Sequence, residues 1–200
     1  MLHLETVEFS TLELLKKLQN LPVLHSTRLV GGTALALQLG HRKSIDLDIF
    51  GTIDCESEVL KDAIKEVASL KVIKESPHIH IYIIDGIKVD IVNYKYQWLD
   101  KPIVKQGICM AGLKDIAAMK VTAIIGRGTK KDFIDIAFLL HRFSLDEILG
   151  FYSVKYDDGS VFMAMKSLAY FDDAEKDPMP DMFANQSWKQ IKEYILSKIS

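Results

Sequence analysis

Residues 30–50 read Val30-Gly31-Gly32-Thr33-Ala34-Leu35-Ala36-Leu37-Gln38-Leu39-Gly40-His41-Arg42-Lys43-Ser44-Ile45-Asp46-Leu47-Asp48-Ile49-Phe50, and three patterns follow one another within them. The approach, residues 27–30, has the character of a short strand that runs into a glycine pair. Residues 33–39 then form an apolar block of helical length, closed by Gly40 where helices commonly end. Residues 44–50 alternate, with Ile45, Leu47 and Ile49 on one side and Ser44, Asp46 and Asp48 on the other, which predicts a half-buried strand. Strand, glycine turn, helix and a second strand bearing acids is the nucleus of an α+β fold.

Outward from this stretch, residues 12–18 have the spacing of an amphipathic helix, ended by Asn20 and Pro22. A helix is expected over 56–70, with Val59, Ala63, Val67 and Leu70 on its apolar stripe. Two β-branched runs, 79–84 and 87–92, are joined by Asp85-Gly86, a strong hairpin signal. A loop holding Pro102 and Gly107 leads to a helix over 113–125. Gly126-Arg127-Gly128-Thr129 interrupts the chain before another helix, 130–141. The remainder reads as helical over 145–150, 160–170 and 188–198. The layout is α+β: a mixed sheet with flanking helices over 1–108, then a helical domain over 109–200.

Composition bounds the function. The 200 residues are 48% hydrophobic, enough for a sizeable core, and 25 Lys and Arg against 27 Asp and Glu leave a net charge of −2. A broad basic coat for nucleic acid is excluded by that balance. The charge is distributed unevenly, however. Residues 112–131 hold five bases and one acid, while 157–181 hold seven acids and two bases. Two distant cysteines, Cys55 and Cys109, support neither a disulfide framework nor a zinc cluster. No apolar run approaches the ~20 residues that span a bilayer, and Glu5 and Glu8 spoil a signal peptide, so a cytoplasmic protein is expected.

Asp46 and Asp48, two apart on a strand, project from one face and repel each other unless a cation joins them. A solvated strand edge would also carry such a pair. Asp90 adds a third acid inside the β-branched run 87–92. Gly31-Gly32 stands at a strand-to-helix junction, where bare backbone N–H groups can hold phosphate. Arg42, Lys43 and Ser44 put cations and a hydroxyl just ahead of the acids. Together these describe a site for a nucleoside triphosphate with its magnesium. Rival motifs fit less well: no P-loop string occurs, and Gly126-Arg127-Gly128 lacks both the third glycine and the preceding strand of a dinucleotide fingerprint.

Val30-Gly31-Gly32, thirteen residues, then Asp46-Leu47-Asp48-Ile49 resembles the signature of DNA-polymerase-β-like nucleotidyltransferases. The longer string from Gly31 to Phe50 resembles more narrowly the AbiEii/AbiGii toxin family, as does the later segment from Met119-Lys120 through Gly126 to Asp135. The resemblance implies a minimal nucleotidyltransferase fold joined to a helical domain, with the active site in the groove between them. It implies two magnesium ions on Asp46 and Asp48, with Asp90 as third carboxylate, and a triphosphate held by Gly31, Gly32 and Thr33. Lys120 would match the family's helical lysine and Asp132 its late acid, both catalytic. Arg42, Ser44, Arg127 and Lys130 would complete the nucleotide site, and Asp135 falls in the same motif. Plainer readings stand beside these: Lys120 could snorkel to solvent, and Asp132 in a first helical turn favours the helix dipole anyway.

The implied activity is transfer of a nucleoside monophosphate from a nucleoside triphosphate to RNA, the acceptor end of tRNA above all. The implied setting is the toxin of a bacterial toxin–antitoxin or abortive-infection system, with a cognate antitoxin as partner. Transfer to a protein or small molecule, or a non-catalytic nucleotide-binding module, are the alternatives.

Overall fold

Leu29 and Val30 are wholly buried, which sets the strand Thr27–Val30 (β1) inside the sheet. A computed structural model describes residues 1–199. The chain divides into two compact units: 1–38, 44–95 and 102–111 form the first, and 39–43, 96–101 and the residues from 112 onward form the second.

The first unit is built on a seven-stranded mixed sheet. Its other strands are β2 (Leu47–Gly51), β3 (Leu70–Glu75), β4 (Ile79–Ile84), β5 (Ile87–Asn93), β6 (Ile103–Lys105) and β7 (Ile108–Met110), in the order β3-β4-β5-β2-β1-β7-β6. The β1–β7 and β2–β5 pairs are parallel and the others antiparallel. Alternation drives the burial: His80, Tyr82 and Ile84 of β4 and Val89 and Ile91 of β5 turn inward, while their neighbours stay half-exposed or exposed. Helices α1 (Phe9–Gln19), α2 (Gly31–Leu39) and α3 (Ser57–Lys65) flank the sheet. Leu60 and Ile64, one turn apart, fix α3 through their complete burial.

Several boundaries differ from those the sequence predicts. β2 begins at Leu47 rather than residue 44, so Asp46 precedes the strand and Ile45, expected as an anchor, is 58% exposed. The helix expected over 56–70 stops at Lys65, and residues 70–75 become the edge strand β3. Val59 is exposed, and the buried stripe is Leu60 and Ile64. The β-branched pair Val72-Ile73 favours the pairing with β4 over a longer helix, a tertiary preference that periodicity alone does not report. The loop with Pro102 and Gly107 contains the hairpin β6–β7. Gln106 and Gly107 at its turn both have positive φ, as do Asp85 and Gly86 between β4 and β5. Two-residue turns of this hand match the twist of the strands they join.

The second unit is helical, with α4 (Leu113–Gly126), α5 (Lys130–Leu139), α6 (Leu145–Lys155), α7 (Val161–Leu168) and α8 (Trp188–Ile199). A capping box of Ser144 and Glu147 opens α6. Lys155 at its end reaches Asp115 of α4 at 2.7 Å, both side chains fully buried. Asp115 also accepts the backbone N–H groups of Leu99 and Asp100, and Lys155 donates to the carbonyl of Gln97. This pair therefore fixes the segment 96–101 to the helices. Among the described residues no helix is long and apolar enough to cross a membrane.

An Asp115→Ala substitution would leave a buried ammonium without its carboxylate. The expected loss is about 3–5 kcal/mol in the unfolding free energy from urea titration at neutral pH. A loss below about 1 kcal/mol would place the pair in the class of solvated surface ion pairs instead.

Candidate active site

In the first unit, β1 ends at Val30, the register partner of Asp48 on β2. The next residue, Gly31, has φ +67°, and a β-carbon added there would stand 2.0 Å from Oδ2 of Asp48. Residue 31 must therefore be glycine on two counts: its backbone hand, and the carboxylate lying against it. Gly31 and Gly32 are both half-buried and form the first turn of α2, where helix N–H groups lack internal acceptors.

Asp48 is in turn the register partner of Asp90 on the parallel strand β5. Partners across a parallel pair share a face, about 4.8 Å apart, so the two carboxylates emerge side by side. Lys88, two residues before Asp90 on that face, donates to it at 2.7 Å. Asp46 stands just before β2. Its backbone carbonyl accepts a hydrogen bond from the hydroxyl of Thr33, which lies 2.8 Å from the hydroxyl of Ser44. Thr33 is fully buried. Its hydroxyl, expected on a triphosphate, instead clasps the chain that delivers Asp46. Among the described residues no three His, Cys, Asp or Glu side chains gather closely enough to hold a metal ion. The donor chemistry of Asp46, Asp48 and Asp90 nonetheless suits a hard divalent cation, which takes carboxylate oxygens. Two of the three, Asp48 and Asp90, are already adjacent, and Lys88 places its positive charge on Asp90.

In the second unit the predicted residues assemble differently. Asp135 is completely buried and accepts Nε and Nη2 of Arg42 at 2.7 and 2.8 Å, and it lies 2.8 Å from Nε2 of His41. Lys120 reaches Asp135 at 2.6 Å and Asp132 at 2.9 Å. Asp132 also accepts Arg127 through Nε and Nη2 and the hydroxyl of Thr129. The i, i+3 spacing of Asp132 and Asp135 does put both on one face of α5, and that face is turned to Lys120 of α4.

Burial alone would raise the pKa of each carboxyl. The opposing charges of Lys120 and Arg42 on Asp135, and of Lys120 and Arg127 on Asp132, more than offset it and hold both far below the ordinary carboxylate range. Burial likewise pushes the Lys120 ammonium down, but Asp135 and Asp132 hold it net above its usual value.

The burial of Lys120 and Arg42 follows from the same network. Lys120, Arg42 and Lys130 are each 5% exposed or less. The polar atoms of Lys120 and Arg42 lie in the network, and Nζ of Lys130 bonds the carbonyls of Glu175 and Asp177 beneath the Trp188 ring. None of these three cations presents a phosphate-binding head in this geometry. Asp132 is equally enclosed. Arg127 keeps 65% of its side chain exposed while bonded to Asp132, so its contact is at the surface of the unit. Asp135, whose role the motif left open, is the hub. The sequence signals charge at these positions but not pairing, because Arg42 and Asp135 lie 93 residues apart.

Comparison with known proteins decides the family. The model of the family described as "Nucleotidyl transferase AbiEii toxin, Type IV TA system" matches residues 13–198. The chain belongs to the AbiEii nucleotidyltransferase toxins. It is thereby an enzyme that transfers nucleotidyl groups. An uncharacterized protein of Aquifex aeolicus (strain VF5) is 34% identical over 193 residues, covering 94% of this chain and 93% of that protein. Two solved structures share the fold. MenT4, the nucleotidyltransferase toxin Rv2826c of Mycobacterium tuberculosis H37Rv, aligns with TM-score 0.61 at 13% identity, covering 92% of this chain and 80% of its own. JHP933 of Helicobacter pylori aligns with TM-score 0.58 at 18% identity, covering 96% and 91%. The α+β mixed sheet is thus the AbiEii nucleotidyltransferase fold.

Two predictions follow from the two clusters. Gly31→Ala should fold with a lowered melting temperature, because its backbone is held at positive φ, and should lose at least about a hundredfold in turnover as the new methyl displaces the Asp48 carboxylate. Turnover within a few-fold of wild type would show that the approach of residue 31 to Asp48 is immaterial.

The depressed carboxyls set a pH dependence. Their folded pKa values lie below the unfolded value of about 3.9, so their contribution is complete above that value and lost as pH falls below it. Urea midpoints should therefore drop more steeply between neutral pH and pH 3 in the wild type than in Asp135→Asn. Parallel pH curves would contradict the assignment.

Proposed function

We propose that this AbiEii enzyme moves a nucleoside monophosphate from a nucleoside triphosphate to RNA, with the acceptor end of tRNA as target, and that magnesium assists. The observation that carries the reading is the side-by-side placement of Asp48 and Asp90, with Asp48 laid against the glycine start of α2. Carboxylates and bare helix N–H groups at one spot match a substrate that brings both a cation and phosphate oxygens.

The Gly31 and Gly32 N–H groups bind the triphosphate oxygens and orient its chain. Asp46, Asp48 and Asp90 hold the metal, with Lys88 giving way at Asp90. Bound there, magnesium supplies positive charge that lowers the pKa of the acceptor hydroxyl and offsets charge on the departing pyrophosphate. Asp90, beside Asp48, accepts the hydrogen bond of that hydroxyl and fixes it in line. The acceptor oxygen bonds to the α-phosphorus, the bond between that phosphorus and the bridging oxygen breaks, and the hydroxyl proton leaves to solvent. Arg127 and Lys131 are the exposed bases of the later motif, whereas Lys120 and Asp132 keep the helices of the second unit in register. A cognate antitoxin is the regulatory partner that a toxin of this family implies.

The test is pyrophosphate release from each triphosphate in turn, with magnesium and total RNA. Wild type should release pyrophosphate with one or more triphosphates, chelation should stop it, and magnesium should restore it. Asp48→Asn should fall by at least about a hundredfold, the scale for removing a key charge-stabilising group, with its circular dichroism unchanged. Undiminished release by Asp48→Asn would overturn the site. Release that needs a protein or small-molecule fraction instead of RNA would replace the acceptor.

A further inference from the structure

The sheet of the first unit has a second face, opposite the buried one, and its register can be read row by row. Asp48 aligns with Asp90, Asp90 with Ile81, and Ile81 with Lys74 at the sheet edge. In the next row Lys88 aligns with Ile83, and Ile83 with Lys71. On the other side Phe50 aligns with Val92, and Val92 with Ile79. Every residue of these rows is half-exposed or exposed, whereas the alternate residues of β4 and β5 are buried. Lys71, Lys74 and Lys88 are all exposed, and the only acids in these rows are Asp48 and Asp90 themselves.

We propose that this face is the track along which a single-stranded RNA acceptor lies on its way to Asp48 and Asp90. The inference rests on the RNA reading above and gives it a location. Lys74 stands in the row of the two carboxylates, two strands or roughly 10 Å beyond Asp90. A polymer whose end reaches the carboxylates places its preceding phosphates over this part of the sheet, and a small acceptor has no use for it. Phe50, two residues along β2 from Asp48 and on the same face, offers a half-exposed ring with Tyr94 at 5.5 Å. Rings of this kind stack unpaired bases without sequence preference. A protein partner fits the face less well, because lysine is depleted from protein–protein interfaces and here lysines intersperse with the apolar residues.

The experiment measures fluorescence anisotropy of a labelled single-stranded RNA of about ten nucleotides, a length within known site sizes, across a salt series. Four proteins are compared: wild type, Lys71→Gln with Lys74→Gln, Phe50→Leu, and Lys189→Gln with Lys198→Gln as an equal charge change on exposed positions of α8. Each phosphate contact on a single strand contributes about 0.7 to the slope of log affinity against log salt. The β3 double variant should therefore have a slope shallower by about 1.4. Its affinity near 0.1 M salt should fall about tenfold, with the Michaelis constant for RNA rising in proportion and kcat changing less.

Phe50→Leu should weaken binding about tenfold with the slope unchanged, since stacking releases no counterions. The α8 variant should stay within about twofold of wild type.

Equal affinity and slope in wild type and the β3 variant, an equal loss in the α8 variant, or no binding by wild type would each overturn the track. Competition by polyglutamate as effective as that by polyuridylate would also overturn it, in favour of an acidic protein partner. RNA labelled equally well by wild type and the β3 variant would remove the track while sparing the RNA reading. Loss of slope in the β3 variant without any RNA labelling by wild type would remove the acceptor reading while sparing the binding surface.

Discussion

The contact between residue 31 and the carboxylate of Asp48 governs the geometry of the first unit's site. β1 must end, turn through a left-handed residue and enter α2 in the space that Asp48 leaves, and only the absence of a β-carbon permits it. Once β1 and β2 are locked in that register, the parallel pairing of β2 with β5 places Asp90 beside Asp48. Thr33, one turn into α2, then secures the chain before β2 through the carbonyl of Asp46. Three acids are thus delivered by backbone constraints that begin at one glycine.

The second unit uses charge for a different purpose. Asp135 and Asp132 join Lys120, Arg42, Arg127 and His41 in a network whose central members are almost without solvent. Buried ion pairs carry a large desolvation cost, and they earn their place by geometry more than by net stability. Here the geometry is the joining of α4, α5 and the short segment 39–43, which immediately precedes the Ser44–Asp46 approach in the chain. The same logic recurs at Lys155 and Asp115, which fasten the segment 96–101. Both stretches that interrupt the first unit's sequence are therefore tied down in the second by a buried carboxylate.

How much of this was legible in the sequence depends on the range of the interaction. The glycine pair, Asp46 and Asp48 at the start of β2, and Asp90 on β5 were readable because each follows from local periodicity and spacing, and the glycine pair with Asp46 and Asp48 also carried the family resemblance. The Asp85-Gly86 hairpin was readable for the same reason. The edge strand β3 was missed because Leu70 continued a helical apolar spacing, and what stops the helix is its pairing with β4. The buried partners of Lys120, Arg42 and Lys130 were not legible, because a phosphate-binding cation and an internally paired one look alike until the partner is found. Asp135 lies 93 residues from Arg42, and Asp115 lies 40 from Lys155. No local pattern reports such pairs.

The central claim is that the Asp48 site passes the α-phosphoryl nucleotide, not the terminal phosphate, to RNA. It is tested most directly by supplying the enzyme with triphosphate labelled at the α-phosphorus or, separately, at the γ-phosphorus, together with magnesium and RNA. The account predicts that α-label becomes covalently attached to RNA and that γ-label is recovered in pyrophosphate. Label reaching RNA from the γ-position, or none reaching it from the α-position while α-label appears on protein, would contradict it.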